Sequence, residues 1–476
     1  MPAVQTGFII LGLVPERLGT FVTPGENLRE LASRAGAIDL VRILDDYPEC
    51  RTERVVSSVP ADRVRALEAR AAERGYPRTR SLTSYWRLDA RGIDNRQELL
   101  HRLSQTDSTA EAYLEVSGSD PLVDPADDMF AVQQLHLNAP PVGVDARWAW
   151  TQPHGSGASV GFVDLEQGWT LNHEDLPPIV KLPGVNQDVN PASKAHGTGV
   201  VGIAVGVDNK LGIIGVAPTP AWASVASHYR AIDGTNGHVA DAIMSVMDSG
   251  ALADGDVLLI EYQDGLNRPI ETDPVVWNAI ELATALGTVV LEAAGNGNVD
   301  LDTVPELNRM SPSFRDSRAV IVGAGMSALD ATGAAHDRWV HPAAPVVGSN
   351  FGSRVDCYAY GENVVTAGPG FTPAGVLAGT KPTNEYRSDF GGTSAAAAIV
   401  AGVALVLQGM HKAVTGAPLS PEKMRDVLST HGTPQGTARP GHIGVMPDIR
   451  RAARALSLPA TGETPPSAPT HLRIQG

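Results

Sequence analysis

The sequence predicts an α/β protein in two parts. Residues 131–457 should form a large domain on a parallel sheet with helices on both faces. Residues 1–120 should form a small α+β unit of ferredoxin-like type. Three observations carry this. Five short apolar runs in the larger region alternate with helical patterns, and continuous apolar strands separated by helices mark a parallel sheet covered on both sides. The first 120 residues, rich in Arg and Glu, alternate strand and helix signals in a span too short for a larger sheet. Between them, Ser117 to Phe130 is dense in Pro, Gly and Asp, which marks a linker at 121–130.

The elements follow in order. Gly7 to Val14 is a short apolar run, read as a buried strand. Leu28 to Leu44 and Ala61 to Arg74 carry helical periodicity. Ser81 to Asp89 reads as extended, Asn95 to Leu103 as a helix, and Ala110 to Val116 as a strand. In the large domain the expected strands are Val160 to Asp164, Ala221 to Ala226, Asp256 to Glu261, Thr288 to Ala293 and Ala319 to Ala324. A long apolar helix should run from the Phe390 region to about Met410. The tail 458–476 is rich in Pro and Thr and reads as disordered.

Composition narrows the function. The chain has 476 residues, too many for one average domain, and 43% are apolar, enough for a sizeable core. The formal charge of -16 argues against a nucleic-acid partner, because no basic excess exists to neutralise phosphate. The two cysteines, Cys50 and Cys357, make no disulfide framework, and nothing near either resembles an activating base. No Lys or Arg precedes the first apolar run, so no secretory signal is read and a cytoplasmic location is favoured. No apolar run is read as a membrane span, and no membrane partner is expected.

In parallel sheets, ligands bind beyond the carboxyl ends of the strands, so chemistry is expected at the strand ends. Four places stand out. Asp164 closes the run Val160-Gly161-Phe162-Val163-Asp164. His196 opens an apolar helical run, followed by Gly197-Thr198-Gly199. Asn296 follows Glu292-Ala293-Ala294-Gly295. Ser394 follows Phe390-Gly391-Gly392-Thr393 at the head of the long helix. Each alone has a plain structural explanation, such as a turn or an N-cap. Gly157-Ala158-Ser159-Val160-Gly161 also fits a Gly-x-Ser-x-Gly nucleophile motif, but it leads into a strand instead of following one.

Asp, His, Asn and Ser in this order, each among small residues, resemble the subtilisin-like serine proteases, the subtilases. His173-Glu174-Asp175-Leu176 resembles the family's His-Pro-Asp-Leu. Gly215-Val216-Ala217-Pro218 and Ser349-Asn350-Phe351-Gly352 resemble two further segments. The resemblance implies a subtilisin-like fold and a serine endopeptidase made as a zymogen. In it Asp164 orients His196, His196 deprotonates Ser394, and Asn296 donates to the oxyanion of an acyl-transfer reaction. A catalytically weak binding module is the alternative. Some positions depart from the family. Leu165 and Glu166 follow Asp164 where Ser or Thr and then Gly are usual, Gly199 replaces a second His, and Ala398 replaces a Pro. The acid-acting sister group carries Glu and Asp where this chain has His196 and Asn296.

The same resemblance implies a polypeptide substrate lying extended between Glu261-Tyr262-Gln263 and Ala293-Ala294-Gly295. The N-terminal unit then becomes a prosegment or regulatory partner of the site. Glu261 and Glu292, at strand ends, suggest a preference for Arg or Lys near the scissile bond. No cofactor is needed for chemistry. A structural Ca²⁺ is implied at Asp175, Asn209 and the carbonyls of Val207, Leu211 and Ile213.

Overall fold

The computed structural model describes residues 5–14, 27–57, 59–73, 80–116, 127–182, 187–230 and 237–458. The chain divides into two compact units, Met1–Ser119 and Asp120–Gly476. The greater part of the expected linker and all of the tail after Leu458 lie outside the described residues. Residues 127–130 do not belong to a linker. The Met129 and Phe130 N–H groups donate to the carbonyls of Leu211 and Gly212, both at 2.7 Å, and tie this segment to the second unit.

The first unit is a four-stranded antiparallel sheet with helices. Its strands are β1 (Gln5–Leu13), β2 (Arg51–Arg54), β3 (Tyr85–Asp89) and β4 (Thr109–Val116), in the order β2-β3-β1-β4. β3 is antiparallel to both β1 and β2 and lies between them. With β4 antiparallel to β1, this is the ferredoxin-like arrangement. The expected helix over 28–44 is two helices, Leu28–Arg34 and Ile38–Asp46, because Gly36 between them has φ +73. The first starts with a capping box, Asn27 and Glu30 exchanging bonds with each other's backbone, which stabilises its end by about 1 kcal/mol. Ile9, Leu11, Trp86, Leu88, Leu28 and Leu40 form the core.

The second unit is built on a ten-stranded sheet. Its strands are β5 (Gly161–Glu166), β6 (Ile179–Lys181), β7 (Trp222–Ser227), β8 (Val257–Ile260), β9 (Val289–Ala293), β10 (Val320–Leu329), β11 (His336–Arg338), β12 (Cys357–Tyr360), β16 (Gly432–Pro434) and β17 (Val445–Pro447). A separate small sheet holds β13 (Val364–Ala367), β14 (Val376–Ala378) and β15 (Tyr386–Phe390). The main order is β16-β17-β12-β10-β9-β8-β5-β7-β6, with β11 on β10. The sheet is parallel from β6 to β17. After β5 the chain runs to β6 at the edge, returns to β7 between β6 and β5, then crosses to β8 and β9 on the other side. The switch point therefore falls between β5 and β8, where a ligand crevice is expected.

Two helices bring chemistry to this crevice. The histidine helix (Pro191–Val205) starts with Asn190 capping the Ala192 N–H, and Pro191 takes the first position, where its missing N–H costs nothing. The serine helix (Gly392–Thr415) ends at Gly416, whose φ of +74 closes it. Its 24 residues are long and apolar enough to cross a membrane, contrary to the sequence reading. Its apolar stretch is instead buried in this domain, with only the last turns, around Val414, exposed. Ala395, Ala396, Ala397 and Ala398 are fully buried, and the helix packs on β9, β10, β12 and the histidine helix. Small side chains let its backbone lie close to the sheet, which fixes the height of Ser394 above the strand ends. Cys50 and Cys357 fall in different units. Cys357 is fully buried, and burial raises its thiol further from reactivity.

Candidate active site

A pocket of about 310 Å³ opens at the switch point, lined in part by Glu166, His196, Glu261, Asn296, Thr393 and Ser394. Three of the four residues singled out from sequence meet there. Asp164 does not.

The carboxylate at His196 belongs to Glu166, whose Oε1 is hydrogen-bonded to Nδ1 of the imidazole. Asp164 lies one pleat deeper in β5. Residues two apart on a strand share a face, and two residues of rise separate them by about 7 Å. Asp164 is fully buried, and its Oδ2 accepts from the Trp169 indole Nε1 at 2.7 Å. Trp169 in turn lies against Gly197: a Cβ there would sit 2.7 Å from the indole. The expectation that Asp164 orients His196 is thus corrected, because the strand ends two residues later and the longer Glu166 side chain spans the gap at its edge. Burial pushes the Asp164 carboxyl well above the usual range, and the neighbouring Glu166 pushes it further.

A signal for Glu166 stood in the sequence. Glu166-Gln167-Gly168 keeps the Gly expected two residues after the acid, whereas Asp164-Leu165-Glu166 does not. Gly168 is needed: a Cβ would meet the Asp188 carbonyl at 2.7 Å. The departure at Gly199 also has a cause. A Cβ there would lie 2.8 Å from the Phe390 ring, which itself sits 5.4 Å from the His196 ring.

Burial acts to lower the His196 pKa, but the charge and hydrogen bond of Glu166 outweigh it, and the net shift is upward. Ser394 is the third residue of its helix, 9% exposed, at the pocket floor. The Thr393 N–H (2.9 Å) and hydroxyl (3.2 Å) both donate to Asn296 Oδ1. This fixes the amide orientation and leaves the Asn296 NH₂ directed to the pocket. The Ser394 N–H is one of the helix's first four, which have no partner within the helix. Two donors and a helix N-terminus therefore converge where negative charge can be held.

The expected substrate segments are only partly at the pocket. Glu261, Tyr262, Gln263 and Ala293 line it, while Ala294 is fully buried and Gly295 sits beneath. The Gln263 side chain is engaged in support: its Oε1 accepts from the Asn296 N–H (2.9 Å) and its Nε2 donates to Asn267 (2.7 Å). Glu292 is no specificity residue. It is fully buried, its Oε1 accepts from the Glu271 N–H at 3.2 Å, and burial and Glu271 push its carboxyl far up. Glu271 pairs with the equally buried Arg354 at 2.7 Å, away from the pocket.

The expected metal loop is also rearranged. Asp175 Oδ2 accepts from the Gly212 (3.1 Å) and Ile213 (2.7 Å) N–H groups. Asn209 is used by the Leu211 N–H and the Glu174 carbonyl, and the Leu211 carbonyl by Met129. Of the expected ligands, Asn209 and Leu211 are therefore committed elsewhere; Asp175 keeps Oδ1 without a partner. Nearby, Asp127, Asp128 and Asp208 bring oxygens within 4.8 Å of one another. Asp128 is 3% exposed with both oxygens unpartnered, and burial and Asp208 raise its carboxyl to about 6. Lys210 pairs with Asp127 at 3.0 Å on the exposed side. The unpartnered oxygens of buried Asp128, beside the carboxylates of Asp127 and Asp208, fit a cation such as Ca²⁺.

A parallel sheet with its crevice at the switch point, a histidine held by a carboxylate, and a helix-borne serine beside an asparagine amide define a serine hydrolase site. The sequence model described as Subtilase family matches residues 157–444, more than half of the chain. Thermitase of Thermoactinomyces vulgaris is 28% identical over 319 residues, 65% of this chain and 94% of that protein. A thermophilic serine proteinase of Bacillus sp. (strain AK1) is 29% identical over 289 residues, 60% of this chain and 61% of its own. Subtilisin DY of Bacillus licheniformis is 26% identical over 283 residues, 59% of this chain and 86% of that protein. The chain belongs to the subtilase family of serine endopeptidases.

Proposed function

We propose that this site hydrolyses peptide bonds through an acyl-enzyme on Ser394, with His196 as the base and Glu166 as the carboxylate that orients it. The Glu166–His196 bond at the edge of the pocket holding Ser394 and Asn296 carries the reading. A serine hydroxyl is a weak nucleophile until a base takes its proton. Glu166 at Nδ1 keeps the proton on that nitrogen, so Nε2 is free to accept from Ser394. His196 then returns the proton to the leaving amine. The Asn296 NH₂ and the Ser394 N–H stabilise the tetrahedral oxyanion. The substrate is a polypeptide, which in this reading lies extended between segment 261–263 and Ala293, the residues of the two segments that line the pocket. The ferredoxin-like unit is assigned here as a folding or inhibitory partner of that site.

A fluorophosphonate that acylates activated serines tests the triad. One adduct per chain, located on Ser394 by peptide mass, is the expected result. An unlabelled Ser394 in folded protein overturns the assignment.

Asp127, Asp128 and Asp208, with Asp175 Oδ1 close by, are assigned as the oxygens that would hold a structural Ca²⁺. The ion would neutralise clustered carboxylates and fix residues 127–130 to the loop at 207–213, with no part in the chemistry. A chelator should lower the Tm of the full chain, and Asp128→Asn should remove that sensitivity. An equal Tm with and without chelator excludes the ion.

A further inference from the structure

Glu261 is a buried carboxyl that the triad does not use. It follows β8, and its N–H donates to the Leu165 carbonyl at 3.1 Å. Since Leu165 pairs with Ile260, Glu261 stands directly beside Glu166 across the two strand ends. The side chain is 6% exposed, lines the same pocket as Ser394, and neither oxygen has a well-formed hydrogen bond. Nothing cationic neutralises it: no Arg or Lys lines the pocket.

We propose that Glu261 is a further catalytic residue, an uncharged carboxylic acid that hydrogen-bonds the reacting Ser394 oxygen while Glu166 carries the negative charge for His196.

This rests on the triad proposed above. Two carboxyls side by side in a water-poor crevice cannot both ionise without a large Coulomb cost, so one keeps its proton. Glu166 has the imidazole as partner. Glu261 has none, and burial first, then Glu166, push its carboxyl far above the usual range, with Ser394 as a lowering neighbour. The titratable groups around it are Asp164 and Glu166 on β5, His196 on the histidine helix and Ser394 on the serine helix. Tyr262, the next residue, lies against His228 with the rings tilted and their centroids 4.2 Å apart, and His228 is pushed down to about 4 by burial, so it stays neutral. When His196 takes the serine proton, Glu166 and His196 form a neutral pair and the new negative charge appears on the substrate oxygen. A neutral Glu261 adds no repulsion there and offers an O–H. An ionised Glu261 would oppose that charge.

The sign of the pH effect follows. Activity needs His196 deprotonated and Glu261 protonated, so the profile rises as His196 loses its proton and falls as Glu261 does. Gln is the isostere of the neutral acid. Glu261→Gln should lose the alkaline fall and retain far more activity than Glu261→Ala, which should lower kcat about 10²-fold with KM little changed. The readouts are the pH dependence of fluorophosphonate labelling and of denatured-casein hydrolysis by the full chain. An alkaline limb unmoved in Glu261→Gln overturns the inference, as does wild-type kcat in Glu261→Ala. A loss of cleavage after Arg and Lys in Glu261→Gln, with the limb unmoved, would make Glu261 an anionic specificity residue instead. If Ser394 of the wild type is labelled but the limb does not move, only this inference fails. If Ser394 is not labelled, the triad fails with it.

Discussion

Replacing Ser394 with Ala should abolish peptide hydrolysis, by on the order of 10⁶ in kcat, the scale known for loss of the nucleophile or base in serine peptidases of this kind. The loss is large because the hydroxyl forms the acyl-enzyme, and no other group in the pocket can take its place. Among the pocket residues, Thr393 is the nearest second hydroxyl, and it is committed to Asn296 at 3.2 Å. The fold should survive. Ser394 follows two residues of a helix already anchored by the Thr393–Asn296 bond, and Ala is a better helix former than Ser. Circular dichroism and Tm should match the wild type while casein hydrolysis falls to background. Wild-type turnover in the purified variant would refute the nucleophile.

The second large effect separates two carboxyls two residues apart. Glu166→Gln should lower kcat by on the order of 10⁴, the loss found when a triad carboxylate is replaced by its amide. The amide offers an N–H where Nδ1 needs an acceptor, so the imidazole turns to the wrong tautomer. Asp164→Asn should cost far less. Burial and Glu166 disfavour its charged form, and an amide oxygen can still accept from Trp169. The pH profile adds an independent check. Glu166 raises the His196 pKa, so in wild type the imidazole becomes a base only above its elevated pKa. Removing the Glu166 charge leaves burial and the Arg387 charge, which both lower the pKa, and the acid limb of the residual activity should move to lower pH. If Asp164→Asn proves the crippled variant and Glu166→Gln is active, the assignment reverses.

The sequence was sufficient for much of this molecule. Its apolar runs marked the central strands to within a few residues, because strands buried on both faces must be apolar throughout. His196, Asn296 and Ser394 were legible because their small neighbours are demanded by close approach: Gly197 under Trp169, Gly295 against the Asn267 carbonyl, and the alanines of the serine helix against the sheet. The family, too, was legible in those motifs. The helix break at Gly36 was missed, since periodicity runs through it and only its positive φ shows the stop.

Tertiary structure decided the roles of the acidic residues. Asp164, Glu166, Glu261 and Glu292 all sit near strand ends, and apart from Gly168 after Glu166 they read alike in sequence. Their fates differ by depth and neighbour. Asp164 is one pleat too deep and meets an indole. Glu166 reaches the edge and meets His196. Glu261 reaches the same edge with no cation to face, and Glu292 turns to the buried Glu271–Arg354 pair. The charge state of a carboxyl depends on what surrounds it in three dimensions, and a linear pattern fixes which residues are acidic without fixing which of them will ionise.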